Sequence, residues 1–291
     1  PRSTLFPTRR FPICHGIVMV TGEVTSSYNY DVNEIETIVK NITENSNIEV
    51  IVNIIEQSPE IGRGVDAGGA GDQGIMIGYA CRDNNEYLPQ EYYLARKLNK
   101  YIYQKYPYDG KTQITLNESK VRVVCSFQNA PKNDLEIMVK EFFNNYDYEI
   151  ESMHCNPAGD WNIGGLEADA GVTGRKLAVD NYGPRVPLGG GAFSGKDCTK
   201  VDRGAAYMAR YIAVDILDKH LDVDEVKVEL AYAIGYDQPL QATALLNKDE
   251  KIVIDDYDLS PRGIIKFLEL NKPIFSQTAE WGHMASNFNW Q

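Results

Sequence analysis

Apolar and polar positions follow two different periods along the chain, and these periods mark helices and strands. Val32, Ile35 and Val39 have the three- to four-residue spacing of an amphipathic helix, whereas residues 226–234 alternate as a half-buried strand does. The same patterns predict strands over 17–25, 48–55, 174–179 and 226–234, helices over 31–40, 91–106, 135–143 and 199–220, and a hairpin over 112–127 that turns near Asn117-Glu118.

The predicted elements recur in a similar order three times along the chain. No low-complexity linker interrupts the succession. We therefore expect an α+β protein built from three units of similar plan.

The composition is that of an ordinary globular protein, with 43% hydrophobic and 24% charged residues in a chain of 291. This length gives room for one large domain or about two ordinary ones. No apolar run approaches the ~20 residues that a membrane span requires, and the N-terminus lacks the apolar core of a signal peptide. We expect a cytoplasmic protein that has no membrane as partner.

The charge balance narrows the choice of partners. A formal net charge of −12 argues against nucleic acid and anionic membranes, because both require a basic binding face. An anionic substrate must instead find local cations, and Arg175, Lys176, Lys196 and Lys200 lie within one stretch that is otherwise poor in positive charge. Such a cluster suits a polyphosphate.

Cysteine usage gives no sign of a covalent or metal-bound framework. The five cysteines are scattered, odd in number and nowhere spaced as C-x-x-C, and we expect reduced thiols. They are Cys14, Cys81, Cys125, Cys155 and Cys198.

The strongest chemical signal is the sequence GGGAFSGKD at 189–197. A glycine-rich turn closed by a lysine can cradle phosphates with backbone N–H groups and an ammonium. From Gly190 the letters fit the P-loop pattern, but Asp197 stands where that motif needs a Ser or Thr hydroxyl to bind magnesium. The P-loop interpretation fails at this position, and a purely structural turn is the other alternative to a phosphate site.

A second glycine-rich segment, GAGDQG at 69–74, places Asp72 directly before the apolar run 75–79. Together the two segments resemble the signature pair of the S-adenosylmethionine synthetases, the methionine adenosyltransferases. The resemblance runs from about residue 13 to residue 290. Further matching stretches are GVTGRK at 171–176, KVDR at 200–203 and YAIG at 232–235.

The resemblance implies a fold and an assembly. We expect one unit over 1–291 made of three pseudo-repeated, interleaved α/β subdomains, with approximate segments 13–110, 111–165 and 166–291. A sheet face would form a homodimer, with a higher oligomer as a further option. In this family the active sites are shared, with Glu23- and Asp72-type residues from one subunit and Lys111- and Lys196-type residues from the other.

The resemblance also implies a reaction. The sulfur of L-methionine attacks C5′ of ATP, and the released tripolyphosphate is hydrolysed to pyrophosphate and phosphate. Negative charge accumulates on the leaving group, so the reaction needs cations and a preorganised approach of sulfur to carbon. Mg²⁺, with two ions per site, is the expected cofactor, and K⁺ is a further candidate.

Phosphate and metal roles transfer by motif position. Arg175, Lys176 and Lys196 are expected at the phosphates, with Lys111 joining them from the hairpin. Asp202 resembles a magnesium ligand, since magnesium usually takes one or two protein carboxylates plus phosphate oxygens. A solvated acid on a helix face is the alternative for Asp202.

Nucleoside roles transfer in the same way. Asp109 is expected near the ribose and Asp169 near the substrates. Trp161 stands where the family has a phenylalanine stacked on adenine, and its larger face can do the same. Trp161 as a plain core residue is the alternative. Asp160 replaces a basic residue of the family, so adenine contacts are expected to differ here.

On the methionine side, the resemblance places Glu23 at the substrate ammonium with Asp72 beside it. Gln57 is expected near the methionine carboxylate or sulfur, and Lys200 at that carboxylate. An exposed charge at a strand edge is the alternative for Glu23.

Three features depart from the family. The chain has no His-Pro-Asp-Lys tetrad, and the potassium-binding glutamate of the family would fall near Arg10. The lid segment at 60–68 is short. Either other groups replace the tetrad in a compact variant, or the chain is a truncated form. An alternative function is therefore a catalytically impaired partner of a complete synthetase that binds nucleotide or S-adenosylmethionine.

Overall fold

The computed structural model describes residues 3–4, 13–14, 16–60, 68–284 and 287–291. Arg10 and the lid residues 61–67 lie outside these ranges, so the expectations that concern them stay predictions. The helices are α1 (Val32–Thr43), α2 (Gln90–Lys105), α3 (Lys132–Phe143), α4 (Leu177–Asp180), α5 (Val201–Lys219), α6 (Pro261–Phe267) and α7 (Phe275–Thr278), with 3-10 turns at Gly165–Glu167 and Gly183–Arg185.

The described strands form three sheets. They are β1 (Ser3–Thr4), β2 (Ile13–Cys14), β3 (Ile17–Val24), β4 (Glu49–Glu56), β5 (Gly74–Cys81), β6 (Gly110–Asn117), β7 (Lys120–Phe127), β8 (Glu149–Cys155), β9 (Glu225–Tyr232), β10 (Gln241–Leu246) and β11 (Glu250–Val253).

The C-terminal sheet has the strand order β11-β10-β9-β5 and is antiparallel throughout. Burial alternates along β9, so every second side chain points into a core. Helix α5 closes this core and is buried along most of its length. Strand β5 precedes the central strands in the sequence yet pairs with β9, so the sheets are interleaved along the chain.

The central sheet has the order β1-β6-β7-β8. Strands β6 and β7 form a hairpin, and β8 runs parallel to β7. Helices α2 and α3 pack on this sheet over a second core that includes Leu98, Ile114 and Phe127.

The N-terminal sheet, β2-β3-β4, is thinner. Strands β3 and β4 are parallel, and α1 packs on one face over a small core in which Val18, Val39 and Ile48 are buried. Apolar side chains remain exposed on these strands, with Met19 at 43%, Ile51 at 37% and Ile55 at 54%. Within the described residues, α1 therefore covers one face of this sheet, and the exposed apolar side chains are not covered by another layer.

The α+β class with several sheets is confirmed, and so is the hairpin, whose last pair is Asn117 and Lys120. Helices α1, α2, α3 and α5 match the four predicted helices. Strands β5, β8, β10 and β11 have no counterpart among the predicted strands. Among the described ranges, no helix has both the length and the apolar character needed to cross a membrane.

The predicted strand over 174–179 is wrong. Gly174 has φ of 83°, in a region that strands do not use, and α4 begins at Leu177. The apolar run Leu177-Ala178-Val179 is too short for its pattern to separate a strand from a helical turn.

Candidate active site

The glycine-rich loop 189–197 packs on strand β5, which directly follows the motif GAGDQG. Gly189 packs on the backbone at the start of β5, and a β-carbon at this position would overlap the carbonyl oxygen of Ile75. Only glycine permits such an approach. The small cavity between the loop and β5 is lined by residues of both and by Asp202 from the first turn of α5.

Lys196 and Asp202 form an ion pair at the centre of this region. The Asp202 side chain is only 11% exposed, and a β-carbon at Gly191 would overlap its carboxylate. This burial excludes the alternative of a solvated helix-face acid. The pair places an ammonium that suits phosphate beside a carboxylate that suits a metal ion.

Arg203 fixes the backbone that carries Lys196. Its Nη1 donates to the Lys196 carbonyl oxygen at 2.6 Å, its Nε to the Tyr207 hydroxyl at 3.0 Å and its Nη2 to Thr278 Oγ1 at 2.9 Å. The guanidinium is buried and lies 3.8 Å from the centroid of the Phe275 ring. A planar guanidinium held in several directions is a rigid support, so the core sets the position of Lys196.

Asp197, which breaks the P-loop pattern, has a structural role. Its Oδ1 accepts hydrogen bonds from the Thr199 N–H at 2.7 Å and the Thr199 hydroxyl at 2.5 Å. This Asx turn leads the chain into α5, and the half-buried Lys200 is the residue immediately before the helix. The turn explains why an acid stands where a P-loop has Ser or Thr.

The segment that carries Arg175 and Lys176 packs against the same loop. A β-carbon at Gly174 would lie 2.7 Å from the β-carbon of Ala192. Arg175 is exposed, and Lys176 is half-buried with its Nζ 3.5 Å from the Arg175 carbonyl oxygen. Three of the four predicted phosphate-binding residues therefore lie on two segments in contact.

Asp72 lies in a turn that the YAIG stretch holds in place. The Ala70 N–H donates to the Tyr236 carbonyl oxygen at 2.8 Å, and the Gly235 N–H donates to the Ala70 carbonyl oxygen at 2.8 Å. Asp72 itself is exposed, and its Oδ1 accepts from the Gln73 N–H. The resemblance assigns Asp72 and Lys196 to different subunits, and among the described residues no hydrogen bond or ion pair joins these two side chains.

A separate group surrounds the 3-10 turn at Gly165–Glu167. Asp109 Oδ2 accepts from the Gly165 N–H at 3.1 Å, and the Asp169 N–H donates to the Gly165 carbonyl oxygen at 3.3 Å. Trp161 is half-buried nearby, and its ring lies close to Gly164. Partial exposure leaves Trp161 a free ring surface, so it is not a plain core residue.

Asp160 supports a helix. Its Oδ1 accepts from the Lys132 N–H at 3.0 Å and from Asn156 Nδ2 at 3.0 Å. A carboxylate at the first turn of α3 satisfies a free N–H there and complements the helix dipole. The acid at this position therefore has a structural cause.

Glu23 and Gln57 lie at the same edge of the N-terminal sheet, because β3 and β4 are parallel. The Gln57 N–H donates to the Val24 carbonyl oxygen at 3.0 Å, and Gln57 Oε1 accepts from Thr25 Oγ1 at 3.2 Å. Glu23 is exposed, so the edge-charge alternative stays open.

Lys111 is exposed on β6, opposite Ser126 of β7. Between described residues, no hydrogen bond or ion pair links Lys111, Asp109 or Glu23 to the pair of Lys196 and Asp202. The chain therefore brings together the loop of Lys196, the segment of Arg175 and Lys176, and Asp202, and leaves the nucleoside and methionine groups as separate clusters.

The donor set limits the kind of metal site. Among the described residues, no cluster of three or more His, Cys, Asp or Glu side chains is arranged to hold an ion. Asp202 offers one carboxylate in a cradle that a β-carbon at Gly191 would fill. This arrangement fits a magnesium ion that shares its ligands with a polyphosphate, and it does not fit an all-protein metal cage.

The sequence patterns do not single out three residues that support the loop, namely Arg203, Tyr207 and His283. Arg203 and Tyr207 are four residues apart on a helix that is otherwise largely apolar, and this spacing is a usable signal. His283 has no local signal, because it reaches the loop from the C-terminal segment.

Comparison with known proteins assigns the chain to a family. Residues 67–159 match the model for the S-adenosylmethionine synthetase central domain, and residues 163–291 match the model for the C-terminal domain. S-adenosylmethionine synthase of Clostridium tetani is 36% identical over 322 residues, covering 92% of this chain and 82% of that protein. The enzyme of the same name from Petrotoga mobilis is 37% identical and covers 96% of this chain and 84% of its own.

A solved structure agrees. The chain is similar to an unusual S-adenosylmethionine synthetase from Campylobacter jejuni, with a TM-score of 0.84 and 26% identity over 99% of this chain and 87% of that one. The matched glycine motifs, the interleaved sheets and these relatives lead to one conclusion. The chain belongs to the S-adenosylmethionine synthetase family of enzymes, the methionine adenosyltransferases.

Proposed function

We propose that this chain forms S-adenosylmethionine by attack of the methionine sulfur on C5′ of ATP, and that it hydrolyses the released tripolyphosphate to pyrophosphate and phosphate. The observation that carries the proposal is the ion pair between Lys196 of the glycine-rich loop, which packs on β5, and Asp202 of α5. A polyphosphate leaving group needs a cation and a metal-binding carboxylate at one place, and this pair supplies both.

Lys196 is the central phosphate-binding residue of the proposal. Without a substrate, its ammonium is neutralised by Asp202. A triphosphate would replace the carboxylate as the partner of Lys196, with Arg175 and Lys176 contributing from the adjacent segment and Lys111 from the central hairpin. The Arg203 contact to the Lys196 carbonyl oxygen keeps the loop in place during this exchange.

Asp202 would hold magnesium once Lys196 has turned to the phosphate. Magnesium bound there would neutralise charge that develops on the leaving oxygens. The single carboxylate accounts for one ion, and a second ion would depend mainly on phosphate and water oxygens. A requirement for K⁺ stays a prediction, because the position expected for its ligand lies outside the described residues.

Asp109, Asp169 and Trp161 would bind the nucleoside. Their grouping around Gly165 puts the Asp109 carboxylate, the backbone of Asp169 and a half-exposed ring near one turn, which suits ribose hydroxyls and a stacked base. Glu23 and Gln57 would bind methionine together with Asp72 and Lys200, since a carboxylate suits the substrate ammonium and the later sulfonium.

A homodimer with shared sites would bring these separate clusters together. The exposed apolar side chains Met19, Ile51 and Ile55 on the N-terminal sheet, and Ile75 at 50% exposure on β5, support burial against a second copy. Light scattering of the purified chain tests this part of the proposal, and a strictly monomeric active species would contradict it.

The test of function is a mass-spectrometric assay of the purified chain with ATP, methionine, Mg²⁺ and K⁺. We expect S-adenosylmethionine to form over many turnovers per site, with pyrophosphate and phosphate as coproducts. Nucleotide binding without any product would reject the proposal and favour the alternative of a catalytically impaired partner.

A further inference from the structure

His283 lies in the C-terminal core directly behind the loop 189–197. It is fully buried, and its Nε2 is 3.3 Å from Ser194 Oγ while its Nδ1 is 2.6 Å from the Tyr207 hydroxyl oxygen. The Phe193 ring packs against the imidazole edge-on, with centroids 4.9 Å apart. The histidine thus touches two consecutive residues of the loop, just ahead of Lys196.

The hydrogen-bond partners of His283 favour one of its two neutral tautomers. Arg203 Nε donates to the Tyr207 oxygen, and a phenol that donates its own proton to His283 Nδ1 continues this chain of hydrogen bonds. Burial raises the pKa of Tyr207, which keeps this proton on the phenol. An imidazole that accepts at Nδ1 carries its hydrogen on Nε2 and donates it to Ser194 Oγ.

A second acceptor agrees with this tautomer. Asp180 Oδ1, at the end of α4, lies 3.9 Å from the same Nε2 and is itself buried. Among the described residues, Ser194 and Asp180 both bring an oxygen acceptor near Nε2, so a hydrogen on this nitrogen is favoured.

The C-terminal segment holds His283 in place. Trp290 Nε1 donates to the His283 carbonyl oxygen at 2.8 Å, and the Trp290 ring stacks on Tyr207 at 4.0 Å with an angle of 5°. Both rings are fully buried. The imidazole therefore has little freedom to move away from the loop.

We propose that His283 is a positioning residue that holds the phosphate-binding loop at Ser194, while Arg203 holds it at the Lys196 carbonyl. The two contacts lie on either side of Gly195, whose φ of 88° marks a sharp turn. Without the His283 contact, the Ser194 side of this turn keeps the packing of Phe193 but loses its hydrogen bond to a buried side chain, and the Lys196 ammonium samples a wider range of positions. The inference rests on the proposed function, because it affects ATP only if the triphosphate binds at this loop.

The first test is hydrogen exchange of the substrate-free protein, which does not depend on activity. We expect the backbone N–H groups of 189–200 to exchange about tenfold faster in His283→Phe and in Ser194→Ala than in the wild type, with the β6–β7 hairpin unchanged. His283→Gln keeps a side-chain donor and an acceptor, and it should restore most of the protection. Tyr79→Phe removes another buried tyrosine hydroxyl, the one bonded to Glu225, and serves as the matched control.

The second test is kinetic. In His283→Phe and Ser194→Ala we expect KM for ATP to rise about tenfold and KM for methionine to stay within about twofold. His283→Gln should stay close to the wild type. The double variant should be no worse than His283→Phe alone, because both changes remove one contact.

Unchanged exchange of 189–200 in Ser194→Ala and His283→Phe would overturn the inference. So would additive effects of the two changes, or equal increases in both KM values. If His283→Phe does not fold, Ser194→Ala and His283→Gln still decide the matter. If the wild type makes no S-adenosylmethionine, the proposed function fails, while the exchange experiment still tests the loop contact.

Discussion

The loop that carries Lys196 and the strand edge that carries Glu23 are built in opposite ways. Lys196 is paired with Asp202, its carbonyl is held by Arg203, and its loop rests on the large C-terminal core. Glu23 is exposed on the thin N-terminal sheet, whose described core contains only three fully buried apolar side chains. The side chains of the proposed phosphate region are thus held in place by the core, whereas the proposed methionine region is exposed and has little packing around it.

The difference follows from the chemistry that each region has to support. Charge develops on the phosphates in the transition state, so groups that stabilise it must be fixed in advance by surrounding packing. Methionine binding needs contact and orientation, which a neighbouring surface can complete at assembly. In the proposed homodimer, a second copy of the chain would supply this surface by packing on the exposed apolar residues of the N-terminal sheet.

Replacing Lys196 should have the largest effect on this comparison. We expect Lys196→Ala to lower kcat/KM by about 10³, because a preorganised cation at the leaving group is lost, while the fold stays intact. Steady-state kinetics and thermal unfolding check both parts. Lys219→Ala, an exposed lysine at the far end of α5, is the matched control and should keep full activity. Near-normal activity of Lys196→Ala would show that the phosphates bind elsewhere.

The carboxylate of the pair should matter almost as much. Asp202→Asn keeps the shape of the side chain but removes its charge, and we expect kcat to fall about 10²-fold with a higher magnesium concentration for half-maximal rate. A magnesium titration of the initial rate measures this shift. An unchanged titration curve would exclude Asp202 as a metal ligand.

A substitution on the exposed face of the N-terminal sheet tests the proposed dimer. A charge placed among exposed apolar residues opposes their burial, so Ile55→Asp should convert a dimer into monomers and lower activity by at least about tenfold. Light scattering and the synthesis assay are read together. Leu221→Asp, at a residue 84% exposed elsewhere, is the control. Full activity of a monomeric Ile55→Asp protein would reject the shared site.

Glu23 sharpens the assignment of substrates. We expect Glu23→Gln to raise KM for methionine about tenfold and to leave KM for ATP within about twofold, because only the ammonium partner is removed. Glu49→Gln changes another exposed glutamate of the same sheet, on the neighbouring strand β4, and should affect neither value. Equal increases for both substrates would favour a general loss of the sheet over a methionine contact.

The smallest expected effect is a difference in stability between the C-terminal and N-terminal cores. Val228 and Val18 are both fully buried, in the C-terminal and N-terminal cores respectively. Val228→Ala should lower the free energy of unfolding by about 2 kcal/mol, since a cavity opens in a dense core. Val18→Ala should mainly speed hydrogen exchange of β3 and β4. Equal losses of global stability would show that the thin sheet unfolds with the rest.

The sequence predicts the amphipathic helices well, because their apolar spacing reflects burial on one face, as in α1 with Val39. It does not predict β10 and β11, which are short and become strands through pairing, β10 with β9 and β11 with β10. The strand predicted over 174–179 is wrong for a separate reason: a short apolar run fits a strand and a helical turn equally.

The sequence likewise predicts only part of the candidate site. The glycine motifs and Lys196 are readable because their chemistry is local in the sequence. The pairing of Lys196 with Asp202 requires the geometry of the loop and the helix, and the contact of His283 with Ser194 joins residues 89 positions apart. Such long-range contacts leave no periodic signal in one sequence.

The most direct test of the account is a crystal structure of the chain with a non-hydrolysable ATP analogue, methionine and Mg²⁺. We predict that the triphosphate lies against the loop 189–197 and accepts hydrogen bonds from the Lys196 ammonium. Asp202 then binds the metal ion and no longer pairs with Lys196. A triphosphate bound elsewhere, with the ion pair of Lys196 and Asp202 unchanged, would contradict the account.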